Sequence, residues 1–227
     1  MSEKTIWAFL VDKLGNECGA AGLMGNLYAE SGLKSTNLQN SYEKKLGYTD
    51  QTYTKAVDSG EYQNFIKDAA GYGLAQWTYW TRKRDLLTFA QRKKKSIGDE
   101  QMQLEYLMDE LARHFRPVLA TLRDAQSVKE ASDIVLTQFE RPANMSEQNK
   151  VRRANMGQAF YDKYATKEVD ELAVYKTIND VPAWGKPTIK KLMDKGALKG
   201  TDNKGTIDVD DTYVRIMVTL DRLGKLG

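Results

Sequence analysis

Residues 26–33 read NLYAESGL and residues 70–78 read AGYGLAQWT. The first sets Glu30 at the end of an apolar helical run, and the second is a glycine-rich turn carrying Tyr72, Gln76 and Trp77. A carboxyl beside Leu27 and Tyr28 sits where burial disfavours its anion. The negative end of the helix dipole acts in the same direction. A carboxyl that stays protonated near neutral pH is what general-acid cleavage of a glycosidic bond requires. In the second stretch, glycines let backbone approach a ligand, glutamine offers a donor and an acceptor, and aromatic faces can stack on sugar rings. Each motif also has a plain reading. Glu30 could be an exposed helix-end residue, and the turn a tight bend carrying a core Trp77.

Outward from these motifs the dominant period is helical. In TIWAFLVDKLG (5–15), Ile6, Trp7, Leu10, Val11 and Leu14 form one face and Gly15 ends it. A second helix is expected from about Asn16 through ECGAAGLMGNLYAES, closed by Gly32. Its Gly19, Gly22 and Gly25 weaken helicity, which is explained if they permit close backbone packing in a buried helix. Residues 33–71 are irregular, with short helices expected at about 49–58 and 61–67. Long irregular inserts in compact domains are commonly functional. Helices return at about 79–95, 99–116, 127–140 and 146–164, with IGD and ERPANMSE as breaks. TKEVDELAVYKT (166–177) reads as a charged connector. VPAWGKPTIKKLMDKGALKG (181–200) and DVDDTYVRIMVTLDRLG (208–224) then read as two amphipathic helices around a polar turn. The expected fold is mainly α (α+β), with a catalytic domain at 1–166 and a small helical module at 172–227.

Composition bounds the partners. The 227 residues are 41% hydrophobic and 29% charged, with a net charge of +3; mean hydropathy is −0.60. A charge so mild argues against a dedicated nucleic-acid binder. The single Cys18 excludes an internal disulfide and a thiolate metal cluster, and fits a reducing cytosol. The N-terminal stretch MSEKTIWAFLVDKLGNE has no long apolar core, so no signal peptide is expected. No run of about 18 apolar residues spans a membrane. Cys18 with the lone His114 could suggest a thiol peptidase, but no third orienting residue is legible, and a cysteine among Gly and Ala is ordinary packing. QRKKKS (91–96) reads as a solvated helix end, or a touch-point for anionic wall polymer. TDNKGTIDVDD (201–211) lacks the ligand spacing of a calcium loop and reads as a turn plus helix cap.

Taken together, GLMGNLYAESGL (22–33) and KDAAGYGLAQWT (67–78) resemble the phage-type lysozyme domain of endolysins and tail lysins, a relative of goose-type lysozymes and lytic transglycosylases. The resemblance covers about residues 1–165. It implies that Glu30, in the helix-end Glu30-Ser31 pair, is the acid. It also implies that Gly73-Leu74-Ala75-Gln76 lines the saccharide cleft, with Ala75 where the family usually has Met. Ser31, Tyr72, Gln76 and Trp77 become candidate substrate contacts. The similarity to goose-type enzymes, which carry an Asp just before the turn, makes Asp68 the favoured second carboxylate, with Asp50 the runner-up; either could instead cap a loop.

The segment YKTINDVPAWGKPTIKKLMDKGALKGT (175–201) resembles small modules that follow catalytic domains in endolysins and amidases of Clostridium-like hosts and their phages, themselves similar to S-layer homology repeats. Trp184, Tyr175 and Tyr213 are either ligand-facing aromatics or core. The resemblance implies a peptidoglycan hydrolase of Gram-positive walls, made in the host cytoplasm and released late, without metal or nucleotide cofactor. A lytic transglycosylase and a non-catalytic wall-binding protein remain the alternatives.

Overall fold

A computed structural model of the chain describes residues 2–165, 174–200, 202 and 205–226. Two compact units divide it, residues 1–165 and 166–227. The first contains α1 (Glu3–Leu14), α2 (Glu17–Ser31), α3 (Asn40–Leu46), α4 (Asp50–Asp58), α5 (Trp80–Lys93), α6 (Glu100–His114), α7 (Arg116–Asp124), α8 (Val128–Ile134) and α9 (Glu147–Tyr164). A π-helical segment, Val135–Glu140, continues α8.

Helix α2 is the axis of this unit. Asn16 caps its start by accepting from Gly19 N at 2.8 Å, and Gly32 ends it in the left-handed conformation. From Gly19 to Leu27 every residue is buried, against α1, α7, α8 and α9. The glycine stripe makes this possible. A methyl group on Gly19 would meet Leu122 O at 1.9 Å. On Gly22 it would lie 2.5 Å from Ala131 Cβ, and on Gly25 2.4 Å from Gly157 N. These glycines therefore trade intrinsic helicity, about 1 kcal/mol each, for backbone contact with three neighbouring helices.

The irregular stretch holds α3 and α4, and residues 61–67 are irregular chain ending in a turn at 65–67 rather than the expected helix. The helix expected over 99–116 ends at His114, because Pro117 has no N–H with which to extend it; a separate α7 starts there with Pro117 in its first turn. Fully buried Leu10, Leu23, Leu86, Leu104, Leu107 and Leu111 belong to one continuous core. Among the described residues of this unit, β-pairing is limited to single bridges, Leu38 with Tyr72 and Tyr72 with Trp77. The fold is mainly α, with a lysozyme-like helical architecture.

The second unit pairs β1 (Val174–Tyr175) antiparallel with β2 (Val209–Asp210), and adds α10 (Lys186–Asp194) and α11 (Asp211–Arg222). Val181, Ile189, Leu192, Ile207, Val209, Val214 and Val218 form its own small core. Asp210 caps α11 by accepting from Tyr213 N at 2.7 Å, the cap expected within residues 201–211. Most of the charged connector, residues 166–173, and residues 201, 203 and 204 lie outside the described residues. No helix among the described residues is long and apolar enough to cross a membrane.

Candidate active site

The close crossing of α2 and α9 at Gly25 and Gly157 fixes what stands at the end of α2. Arg153, one turn before Gly157, donates to Glu30 Oε1, with the arginine side chain buried and the glutamate 19% exposed. Arg153 also donates to Asn26 Oδ1 at 3.3 Å, and Asn26 Nδ2 donates to Ser132 Oγ on α8 at 3.0 Å. A buried polar chain thus ties α2, α8 and α9 together beneath Glu30. Within it the buried Arg153 Nε alone is left without a hydrogen-bond partner.

Ser31 joins the helix end to the glycine-rich turn by donating to Leu74 O at 2.9 Å. The turn is held elsewhere too. Gly73 N donates to Asn37 O at 2.9 Å, and Leu74 N donates to Gln103 Oε1 at 2.9 Å. Gln76 Nε2 donates to Asn37 Oδ1 at 2.9 Å from a backbone with φ of 45°. Glu30 and Gln76 share a cavity of about 720 Å³ with Gln39, Tyr79, Arg82 and Glu140.

Arg82 on α5 binds Glu110 with two hydrogen bonds, 2.6 Å from Nε and 2.9 Å from Nη2, and lies 4.6 Å from the centre of the Phe139 ring. Glu140 ends the π-helical segment, followed by Arg141 with φ of 48°. Burial first, and then the nearby charge of Glu30, push the Glu140 carboxyl up to about 8, against the pull of Arg82 and Arg153. Gln76 and Arg141 thus both line the cavity with non-glycine residues at positive φ. Backbone strain of this kind clusters at functional sites.

A cavity walled by two carboxyls, two guanidiniums, two amides and an exposed tyrosine suits a polar, hydroxylated substrate. Residues 2–164 match the family described as phage tail lysozyme. The chain belongs to that family. No curated protein matches it. Membership makes it a lysozyme-like enzyme that lyses peptidoglycan, and the match spans the whole helical unit that carries the cavity.

Within this phage tail lysozyme domain, the residues singled out in the sequence separate. Glu30 and Gln76 line the cavity. Ser31 is buried and holds the turn, so it is a positioning residue rather than a substrate contact. Tyr72 and Trp77 are fully buried and require correction as sugar-stacking residues. Tyr72 is bonded through its hydroxyl to Thr54 Oγ1 at 2.6 Å, while Trp77 donates to Glu110 Oε2 at 2.9 Å and packs on Tyr106. The aromatic face that does open to the cavity is Tyr79, 63% exposed, with exposed Trp80 next to it.

Asp68 also stands elsewhere than expected. Its carboxylate is buried, 2.5 Å from Lys83 Nζ and 2.5 Å from the Tyr53 hydroxyl, with Tyr62 donating at 3.1 Å. Lys83 is itself fully buried and donates to Ala70 O at 2.8 Å. Burial lowers the Lys83 ammonium from its ordinary value, and burial together with Asp68 pushes the Tyr62 hydroxyl up to about 12. This knot closes the irregular segment onto α5, and Asp68 does not line the cavity. Asp50, in the first turn of α4, accepts from Leu38 N at 2.8 Å and is likewise a structural group.

Glu140, Arg153, Arg82 and Tyr79 were not legible as site residues. Glu140 sits in a stretch that read only as a break, and Arg153 is a charged residue inside an otherwise ordinary helix. Their roles depend on the α2–α9 crossing and on the π-helical exit of α8. The peptidase alternative loses its support, since burial pushes the Cys18 thiol up and thiol nucleophiles need the reverse. His114 is exposed at the end of α6. Among the described residues no group of three or more His, Cys, Asp or Glu is placed to hold a metal ion.

Proposed function

We propose that this protein is a muramidase, cleaving the β-1,4 bond between N-acetylmuramic acid and N-acetylglucosamine of Gram-positive peptidoglycan. The observation that carries this reading is the placement of Glu30, held by Arg153 in a cavity that Gln76 of the glycine-rich turn also lines, inside a phage tail lysozyme domain. Glu30 gives its proton to the leaving oxygen as the C1–O bond breaks. The carboxylate then accepts a proton from the water that attacks C1. Gln76 and Tyr79 meet the sugar, and the route uses protein side chains alone.

A second reading, lytic transglycosylase, draws on the engagement of Asp68 by Lys83, which removes that group as a base. In it the 6-hydroxyl of the muramic acid attacks C1 and hands its proton to Glu30, leaving a 1,6-anhydro end. Mass spectrometry of fragments from purified peptidoglycan separates the two, since the anhydro product is lighter by one water.

For the second unit the proposal is cell-wall binding. Trp184 is exposed and carries Arg215 5.3 Å from its ring centre. A separate groove of about 620 Å³ is lined by Ile178, Pro187 and Met193 together with Lys186, Lys190 and a single acidic residue, Asp194. Two lysines beside apolar contacts suit an anionic wall polymer. Tyr175 donates to Asp211 Oδ1 at 2.8 Å and serves the fold of the unit; Tyr213 packs partly buried against its core. Action as an endolysin for Clostridium-like hosts, with synthesis in the host cytoplasm and late release to the wall, rests on the sequence resemblance and belongs to the same proposal.

A further inference from the structure

One cavity group has no task in the reaction above. Glu140 shares the cavity with Glu30, and its Oε1 is buried without a hydrogen-bond partner. An ionised carboxylate left so would forfeit about 1–3 kcal/mol or more for an unsatisfied buried group. Its position is also built with care. It closes a π-helical segment, a form often found at functional sites, and the chain leaves it through the strained Arg141.

The groups facing it come from every neighbouring element: Glu30 on α2, Arg82 on α5, Glu110 on α6 and Arg153 on α9. Arg82 binds Glu110 and Arg153 donates through Nη2 to Glu30, while the buried Arg153 Nε makes no hydrogen bond to Glu140. Glu140 is therefore a third carboxyl beside two cations. Resting on the muramidase reading, we propose that Glu140 and Glu30 form a carboxyl pair that keeps one proton in the cavity for delivery through Glu30.

A buried carboxyl beside a second one does not readily ionise with it. Glu140, unpartnered at Oε1, is the one pushed up, to about 8. Below that value the pair holds a proton, and Glu30 can receive it on the carboxyl oxygen that Arg153 does not hold. Glu140 is a positioning residue here, acting through Glu30.

The test is the pH profile of kcat/KM on soluble glycan fragments, measured on the full chain. Wild-type activity is expected to fall on the alkaline side near pH 8. In Glu140→Gln, which keeps the shape of the side chain, that limb moves to lower pH, because the carboxyl that holds the proton is gone. An unmoved alkaline limb in a folded Glu140→Gln protein overturns the proposal, whatever happens to the maximal rate. A carbon-13 NMR titration of wild-type glutamate carboxyls gives an answer that needs no variant to fold. One carboxyl titrating near pH 8 is expected, and all titrating below pH 6 overturns it. Failure of the muramidase reading shows separately, as 1,6-anhydro ends in the wild-type digest.

Discussion

Arg153 on α9 donates to Glu30 at the end of α2, and that contact exists because Gly25 and Gly157 let the two helices touch backbone to backbone. The guanidinium is buried and also held by Asn26, so its geometry is fixed before substrate arrives. Glu30 is thus aimed by a helix crossing at Gly25, five residues before it.

If aim matters more than charge, Arg153→Lys should harm the reaction while keeping the positive charge. Lysine lacks the planar fork that reaches Asn26 and Glu30 together. A misplacement of about 1 Å costs on the order of 10²-fold in rate. We expect kcat on glycan fragments to fall by about that factor, with KM little changed. Wild-type kcat in the lysine variant would contradict the role given to Arg153.

The helical order of the chain was legible because α2 and its neighbours carry local signals: Asn16 and Gly32 at the ends of α2, Asp210 before α11, and an apolar period of 3.6 between. The glycine stripe announced a close crossing, though not its partner. Glu30 and Gln76 were legible from the chemistry of their motifs. What escaped were groups whose role is set at long range. Arg153 lies 123 positions from Glu30, and no local pattern links them. The opposite error befell Tyr72, Trp77 and Asp68. Their side chains suit a sugar cleft, yet the turn sends the two rings into the core, and the Asp68 carboxylate meets a buried lysine. Residue type alone does not tell a buried polar knot from an open site.

That knot gives a second expectation. Asp68→Asn leaves Lys83 buried without its counter-ion, and breaking a buried pair costs about 3–5 kcal/mol. For a domain of this size each kcal/mol lowers Tm by about 2–4 °C. A drop of at least several degrees is expected in a thermal melt, with kcat within a few-fold of wild type at a temperature where the variant is folded. Full stability joined to complete loss of activity would return Asp68 to the catalytic group.

The two separate cores predict modular behaviour. A chain ending at Ala165 keeps the whole core around α2 and the complete cavity. It should fold and cut soluble glycan fragments at close to the full-length rate. On intact cells it should clear more slowly, since a wall-bound module raises effective concentration at the substrate. A truncated protein that is folded yet dead on fragments would mean that residues 166–227 complete the site; equal clearing of intact cells would remove the wall-binding role.

The central claim is that Glu30 delivers the proton that breaks the glycan strand. The most direct measurement is mass spectrometry of purified Gram-positive peptidoglycan after digestion by wild type and by Glu30→Gln, with the fold of both checked by circular dichroism. Removing a general acid typically costs about 10²–10⁴ in rate. Abundant fragments with reducing muramic-acid ends are expected from wild type, and at most traces from the folded glutamine variant. Comparable fragments from Glu30→Gln would contradict it.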